Sequence, residues 1–190
     1  MIRFLGCIRL AAMVLAVALA GALPALGQLT YDFMPKGGKS LFIDVFGARP
    51  DQATIAEITG ASRSEADWTD HLKARKTDLK DKQLRTLVSY LAINMPLAKE
   101  PVEAAVKAGV ITPALPPDGR ELAWNQCQTC HSLFAGYLSQ DRDLEGWRNT
   151  FRTPFHRELD MNARERETFA RYSAVNMPMK FEDVPEDLRF

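Results

Sequence analysis

The sequence predicts a mainly α-helical chain of two related units. Three observations predict it. Apolar residues recur at three- and four-residue spacing, which marks one buried helix face. One segment occurs twice with similar flanks. The pattern Asp118-Gly119-Arg120-Glu121 opens a helix, with Asp as N-cap and Glu at the third helical position.

The chain has 190 residues, of which 46% are apolar. That supports a packed core and excludes a disordered chain. Lys plus Arg and Asp plus Glu both total 24, so the basic excess of a nucleic-acid binder is absent.

Residues 1–27 read as a signal peptide. Arg3 and Arg9 precede an apolar run from Leu10 to Ala22, and Pro24 then breaks it. Cleavage is expected after Gly27, with Ala20 and Ala22 as other sites. The run is shorter than the roughly 20 residues a spanning helix prefers, so a retained anchor is the alternative and membrane contact is expected only then. Leu5-Gly6-Cys7 resembles a lipoprotein cleavage site but lies ahead of the apolar run. Cleavage removes two bases and no acid, so the mature chain carries two more acids than bases.

Residues 28–98 form the first unit. Ser40-Leu41-Phe42-Ile43-Asp44-Val45-Phe46-Gly47 suggests a short strand. Leu84, Leu87, Val88 and Leu91 then form a helical stripe that ends in Tyr90-Leu91-Ala92-Ile93-Asn94-Met95-Pro96. Lys73, Arg75, Lys76, Lys80 and Lys82 are interleaved with Asp78 and Asp81, as on a solvated helix face. Residues 99–117 contain Pro101, Pro113, Pro116 and Pro117 and read as a linker.

Residues 118–179 form the second unit. Tyr172-Ser173-Ala174-Val175-Asn176-Met177-Pro178 echoes the first unit, and Phe169, Tyr172 and Val175 repeat the stripe. Trp68 and Trp147 precede the two copies. The last helix is expected to begin near Asn162, with Glu165 in its first turn. Residues 180–190 are acidic and Pro-broken, as in an extended surface tail.

Cys127-Gln128-Thr129-Cys130-His131 carries the chemistry. Cys-x-x-Cys-His is the attachment signature of c-type haem. At i, i+3 and i+4 on a helix the three side chains share one face. The two thiols can then reach two vinyl groups of one porphyrin while the imidazole reaches the iron. A redox dithiol is expected after a strand, and no βαβ pattern surrounds this one. Zinc needs two further ligands, and only His71 and His156 remain.

Gly119, Leu122, Trp124, Cys127, Cys130 and His131 resemble the first helix of the class I c-type cytochrome family. The likeness spans about Pro117 to Met179. It implies a cytochrome-c-like helical domain with one covalent haem c, preceded by a degenerate, haemless unit of the same kind. It implies that the first helix packs on the last, beside a haem with one edge exposed. Trp68 and Trp147 read as core aromatics, and Trp147 is also a candidate for contact with the haem.

His131 is then the proximal ligand. The family usually supplies a distal Met from the loop before the last helix. Asn-Met-Pro occurs in both units, and only one has a haem motif, so packing explains that element better. His156 belongs to the haem unit alone and is the first choice for the distal position. Met177, Met179 and Met161 are the alternatives.

These readings imply an exported, periplasmic electron-transfer cytochrome. It is expected to be the subunit or redox partner of an oxidoreductase, such as a periplasmic dehydrogenase, and not itself an enzyme. The alternative is a haem enzyme (a peroxidase or small-molecule reductase) or a haem-based sensor, with an open iron position and His156 as a distal base.

Overall fold

The computed structural model describes residues 31–190. The leader, its cleavage points and Cys7 lie outside the described residues. The fold is mainly α. In chain order the helices are α1 (Gly38–Phe46), α2 (Gln52–Thr59), α3 (Glu65–Ala74), α4 (Asp81–Asn94), α5 (Lys99–Ala108), α6 (Gly119–Cys127), α7 (Leu144–Thr150), α8 (Pro154–Arg157) and α9 (Ala163–Asn176). Among the described residues there is no strand, and no helix is long and apolar enough to cross a membrane.

The repeat is built into the packing. The two Tyr-bearing helices, α4 and α9, lie against each other at the centre. α1 and α3 pack on α4, while α6 and α7 pack on α9. Each half closes its first helix onto its Tyr helix through a glycine. A Cβ on Gly38 would fall 2.2 Å from Tyr90 Cβ, and one on Gly119 would fall 2.1 Å from Tyr172 Cβ. Only a residue without Cβ permits that approach.

Reciprocal hydrogen bonds join the halves. Asn94 Nδ2 donates to Thr168 Oγ1 at 3.2 Å, and Asn176 Nδ2 donates to Thr86 Oγ1 at 3.0 Å. Tyr90 Oη donates to Pro116 O at 2.8 Å, and Tyr172 Oη donates to Pro35 O at 2.7 Å. The segment ahead of each half therefore straps the other half. Met34 is buried in the second core, while Ile111, Ala114 and Leu115 are buried in the first. Fully burying a Leu or Ile side chain stabilises by about 1.5–3 kcal/mol, so each strap holds firmly.

Three local expectations are corrected. The stretch 40–47 is helix α1, not a strand. Leu41, Phe42 and Phe46 share a face that is buried in the first core, and this packing overrides the β propensity of Ile43 and Val45. Residues 99–117 are not a free linker, because they contain α5 and the 3₁₀ turn Thr112–Ala114. Pro101 sits in the first turn of α5, where its missing N–H leaves no bond unmade. Val102, Ala105 and Val106 then supply a helical stripe against the first core. The tail is not extended: Phe181–Asp183 and Glu186–Leu188 are 3₁₀ turns, and Val184 between them is buried in the second core.

Candidate functional site

The site is built on α6. Asp118 caps it, accepting from the backbone N–H groups of Arg120 and Glu121 at 3.0 Å each. Glu121 accepts from Asp118 N at 3.1 Å and completes the capping box. Leu122 and Ala123 are buried. The helix ends at Cys127, so the expectation of three side chains on one helix face is corrected. Gln128, Thr129, Cys130 and His131 are exposed and follow in a bent segment. With no buried side chain to dock, another helical turn has no tertiary support.

Cys127 and Cys130 are free thiols, the first half-buried and the second exposed. Burial, with a smaller contribution from Cys130, pushes the Cys127 thiol up to about 12. A redox-active dithiol has a lowered thiol pKa, so this geometry disfavours disulfide exchange. Among the described residues no three His, Cys, Asp or Glu side chains cluster as a metal-ion site, which disfavours structural zinc.

Beside the motif lies a cavity of about 520 Å³. That is within the ordinary range for a cofactor-sized ligand, about 300–1,000 Å³. Cys127, Cys130, His131, Trp147 and His156 all line it. Its apolar wall is an aromatic cluster. Tyr137 meets Trp147 at 5.3 Å between ring centroids, Trp147 meets Phe169 at 5.8 Å, and Phe151 meets Phe169 at 5.5 Å. Arg142 also lines it, with its guanidinium 5.3 Å from the Trp147 ring centre.

The two histidines are prepared alike. His131 Nδ1 lies 3.3 Å from the carbonyl oxygen of Ser132, which only accepts, so Nδ1 carries the proton. His156 Nδ1 lies 2.8 Å from Thr153 Oγ1. That hydroxyl already donates to Thr150 O at 2.8 Å, so it accepts from His156. Both rings therefore keep the Nε2 lone pair for a metal. A Cβ on Gly136 would fall 2.0 Å from His131 Cε1, so glycine leaves the room that this ring uses. The ring centroids of His131 and His156 are 6.3 Å apart.

No protein-family model, curated protein or solved structure matches the chain.

The methionine alternatives lie elsewhere. Met161 and Met177 are 5% exposed in the second core, and Met179 packs against the same core. Met177 and its repeat partner Met95 are both buried C-caps of their helices, as a shared packing element should be. None of the three lines the cavity. His71 is in the first half, edge-on to Trp68 at 5.6 Å and with Nε2 3.6 Å from Glu57.

Sequence reasoning missed Arg142, Tyr137, Phe151, Phe155 and Phe169 as lining residues. The repeat held a signal for one of them. Arg142 stands five residues before Trp147, as Arg63 stands five before Trp68, and both arginines stack on their tryptophans. Both indole Nε1 atoms are buried without a hydrogen-bond partner. In the first half Phe46 occupies the place equivalent to Cys127, with the Arg75 guanidinium 5.2 Å from its ring centre. That half has an aromatic ring where the second has a thiol.

Proposed function

We propose that the chain is an exported monohaem c-type cytochrome that transfers electrons between protein partners, built as a haem-bearing half beside a haemless half. The observation that carries this reading is that His131 and His156, with ring centroids 6.3 Å apart, line the same cavity as Cys127 and Cys130.

The residues present fit haem. Cys127 and Cys130 are free and would hold the group through the two thioether bonds of a Cys-x-x-Cys-His attachment. His131 and His156 hold their Nδ1 protons on oxygen acceptors and would offer Nε2 to the iron. Phe155, 90% exposed at the cavity lining, supplies apolar cover for a flat ligand.

When bound, haem supplies reversible one-electron exchange. The chain's own residues do the rest. With His131 and His156 both holding the iron, small ligands would be excluded, as suits a carrier rather than an enzyme. Bis-histidine ligation sets a lower potential than a Met–His pair, because Met as axial ligand raises it. The aromatic cluster of Tyr137, Trp147, Phe151 and Phe169 would give the group an apolar wall. The compartment is the periplasm, and the partners are proteins, with a periplasmic dehydrogenase as the expected donor. The haemless half provides docking surface.

Visible spectra of the exported protein, with and without carbon monoxide, test the reading. A low-spin spectrum that carbon monoxide leaves unchanged is expected, and H156A should become high-spin and bind the gas. A wild-type iron that is high-spin and binds carbon monoxide would make the chain an enzyme or sensor.

A further inference from the structure

We propose that Arg166 is the positioning residue that holds His156 at the cavity and keeps the sixth iron position closed; this rests on the haem reading above. His156 stands on α8, a helix of four residues with no buried side chain. Phe155 beside it is 90% exposed. A single unburied turn is unstable on its own, because helix nucleation is costly and most helical stability comes from packing. Something other than packing must therefore fix the ring.

Two polar clamps do so. At the N-terminal end, Thr153 Oγ1 bridges Thr150 O and His156 Nδ1, at 2.8 Å to each. At the C-terminal end, the guanidinium of Arg166 gathers three carbonyl groups. Its Nη2 donates to Arg157 O at 2.7 Å and to Leu159 O at 3.2 Å, and its Nε donates to Met161 O at 2.9 Å. Arg157 is the residue next to His156. These are carbonyls at and beyond the end of α8, which a helix leaves without partners.

Arg166 itself is firmly held. It lies in the first turn of α9, the helix whose Phe169 and Ala170 are buried in the core. Its guanidinium also stacks on Phe151, a cavity-lining ring, at 5.2 Å from the ring centre. The α9 framework is thus connected through one side chain to the backbone beside the distal ligand. Arginine is required because a planar fork with several donors can serve three acceptors at once, which a lysine ammonium on a flexible stem does poorly.

The test uses the full exported holoprotein as wild type, R166A and R166K, with far-UV circular dichroism as the control for folding. R166A is expected to keep its covalent pigment and helix content but gain a high-spin fraction. Its carbon monoxide affinity should rise about tenfold, because the closed, His156-bound state no longer dominates. R166K should fall between the two. Added imidazole should return R166A to the low-spin spectrum, and unchanged circular dichroism separates this from a general loss of structure. An R166A spectrum that stays low-spin and inert to carbon monoxide overturns this proposal alone. Should R166A fail to fold, R166K decides: a high-spin fraction supports the proposal and a wild-type spectrum overturns it. A colourless wild-type protein overturns the haem reading, and this proposal with it.

Discussion

Thr153 Oγ1 accepts a hydrogen bond from His156 Nδ1 while donating to Thr150 O, so one hydroxyl fixes both the tautomer and the tilt of the ring. Partners of this kind on a metal-ligating His typically matter by about 10- to 100-fold in metal affinity or activity. T153V keeps the shape and removes both bonds. It should raise the high-spin fraction and speed carbon monoxide binding, whereas T153S should behave as wild type. Stopped-flow carbon monoxide binding measures the difference.

The glycine contacts make a prediction about the fold. G119A places a methyl group 2.1 Å from Tyr172 Cβ and 3.0 Å from Thr168 O, and neither is the far end of a flexible side chain. Overpacking of this kind costs about 1–3 kcal/mol or more. G38A, which meets Tyr90 Cβ at 2.2 Å, should cost about as much, because the two halves repeat the contact. Urea denaturation should show both midpoints lowered with an unchanged slope.

The two thiols should differ in the chain free of any cofactor. Cys130 is exposed, and the half-buried Cys127 thiol is pushed up to about 12 by burial. Only the thiolate alkylates readily. In chain made without haem-attachment machinery, iodoacetamide at mildly alkaline pH should label Cys130 well before Cys127. Peptide mass spectrometry after a timed quench reads the order. Equal labelling rates would contradict the burial of Cys127.

His71 gives a pH prediction. Burial first, then the charges of Arg63 and Arg75, lower its pKa in the fold, against an opposing contribution from Glu57. The unfolded chain therefore takes up this proton more readily. Stability that His71 contributes in its neutral form is lost as pH falls through the unfolded value of about 6.5. Between about pH 7 and pH 5 the wild-type urea midpoint should fall more steeply than that of H71Q. Burial raises the Asp118 pKa and acts in the opposite sense, but it is common to both proteins and drops out of the comparison.

Much of the fold was legible where local chemistry decides it. The Asp118–Glu121 and Asn162–Glu165 boxes mark the starts of α6 and α9, because a short polar side chain three residues before a carboxylate satisfies orphan N–H groups. The repeated Tyr, Asn and Met positions mark the central helix pair. Sequence reading failed where tertiary contact decides. Ile43 and Val45 favour a strand by propensity, yet α1 forms because its Leu41–Phe42–Phe46 face has α4 to pack on. Pro101 looks like a breaker, yet it stands where a helix tolerates it. Val184 reads as tail and is buried. At the site, His131 and His156 were visible as residue types. Arg166, Thr153 and the aromatic wall were not, because their roles depend on backbone carbonyls and ring contacts that no spacing encodes.

Intact mass spectrometry of the exported protein, after acid–acetone treatment of the denatured chain, decides whether one porphyrin is bound covalently through Cys127 and Cys130. The mass of one haem is expected to stay with the chain, on the peptide spanning Cys127 to His131. A chain at its unmodified polypeptide mass, with the pigment left in the solvent or absent, would overturn the haem reading.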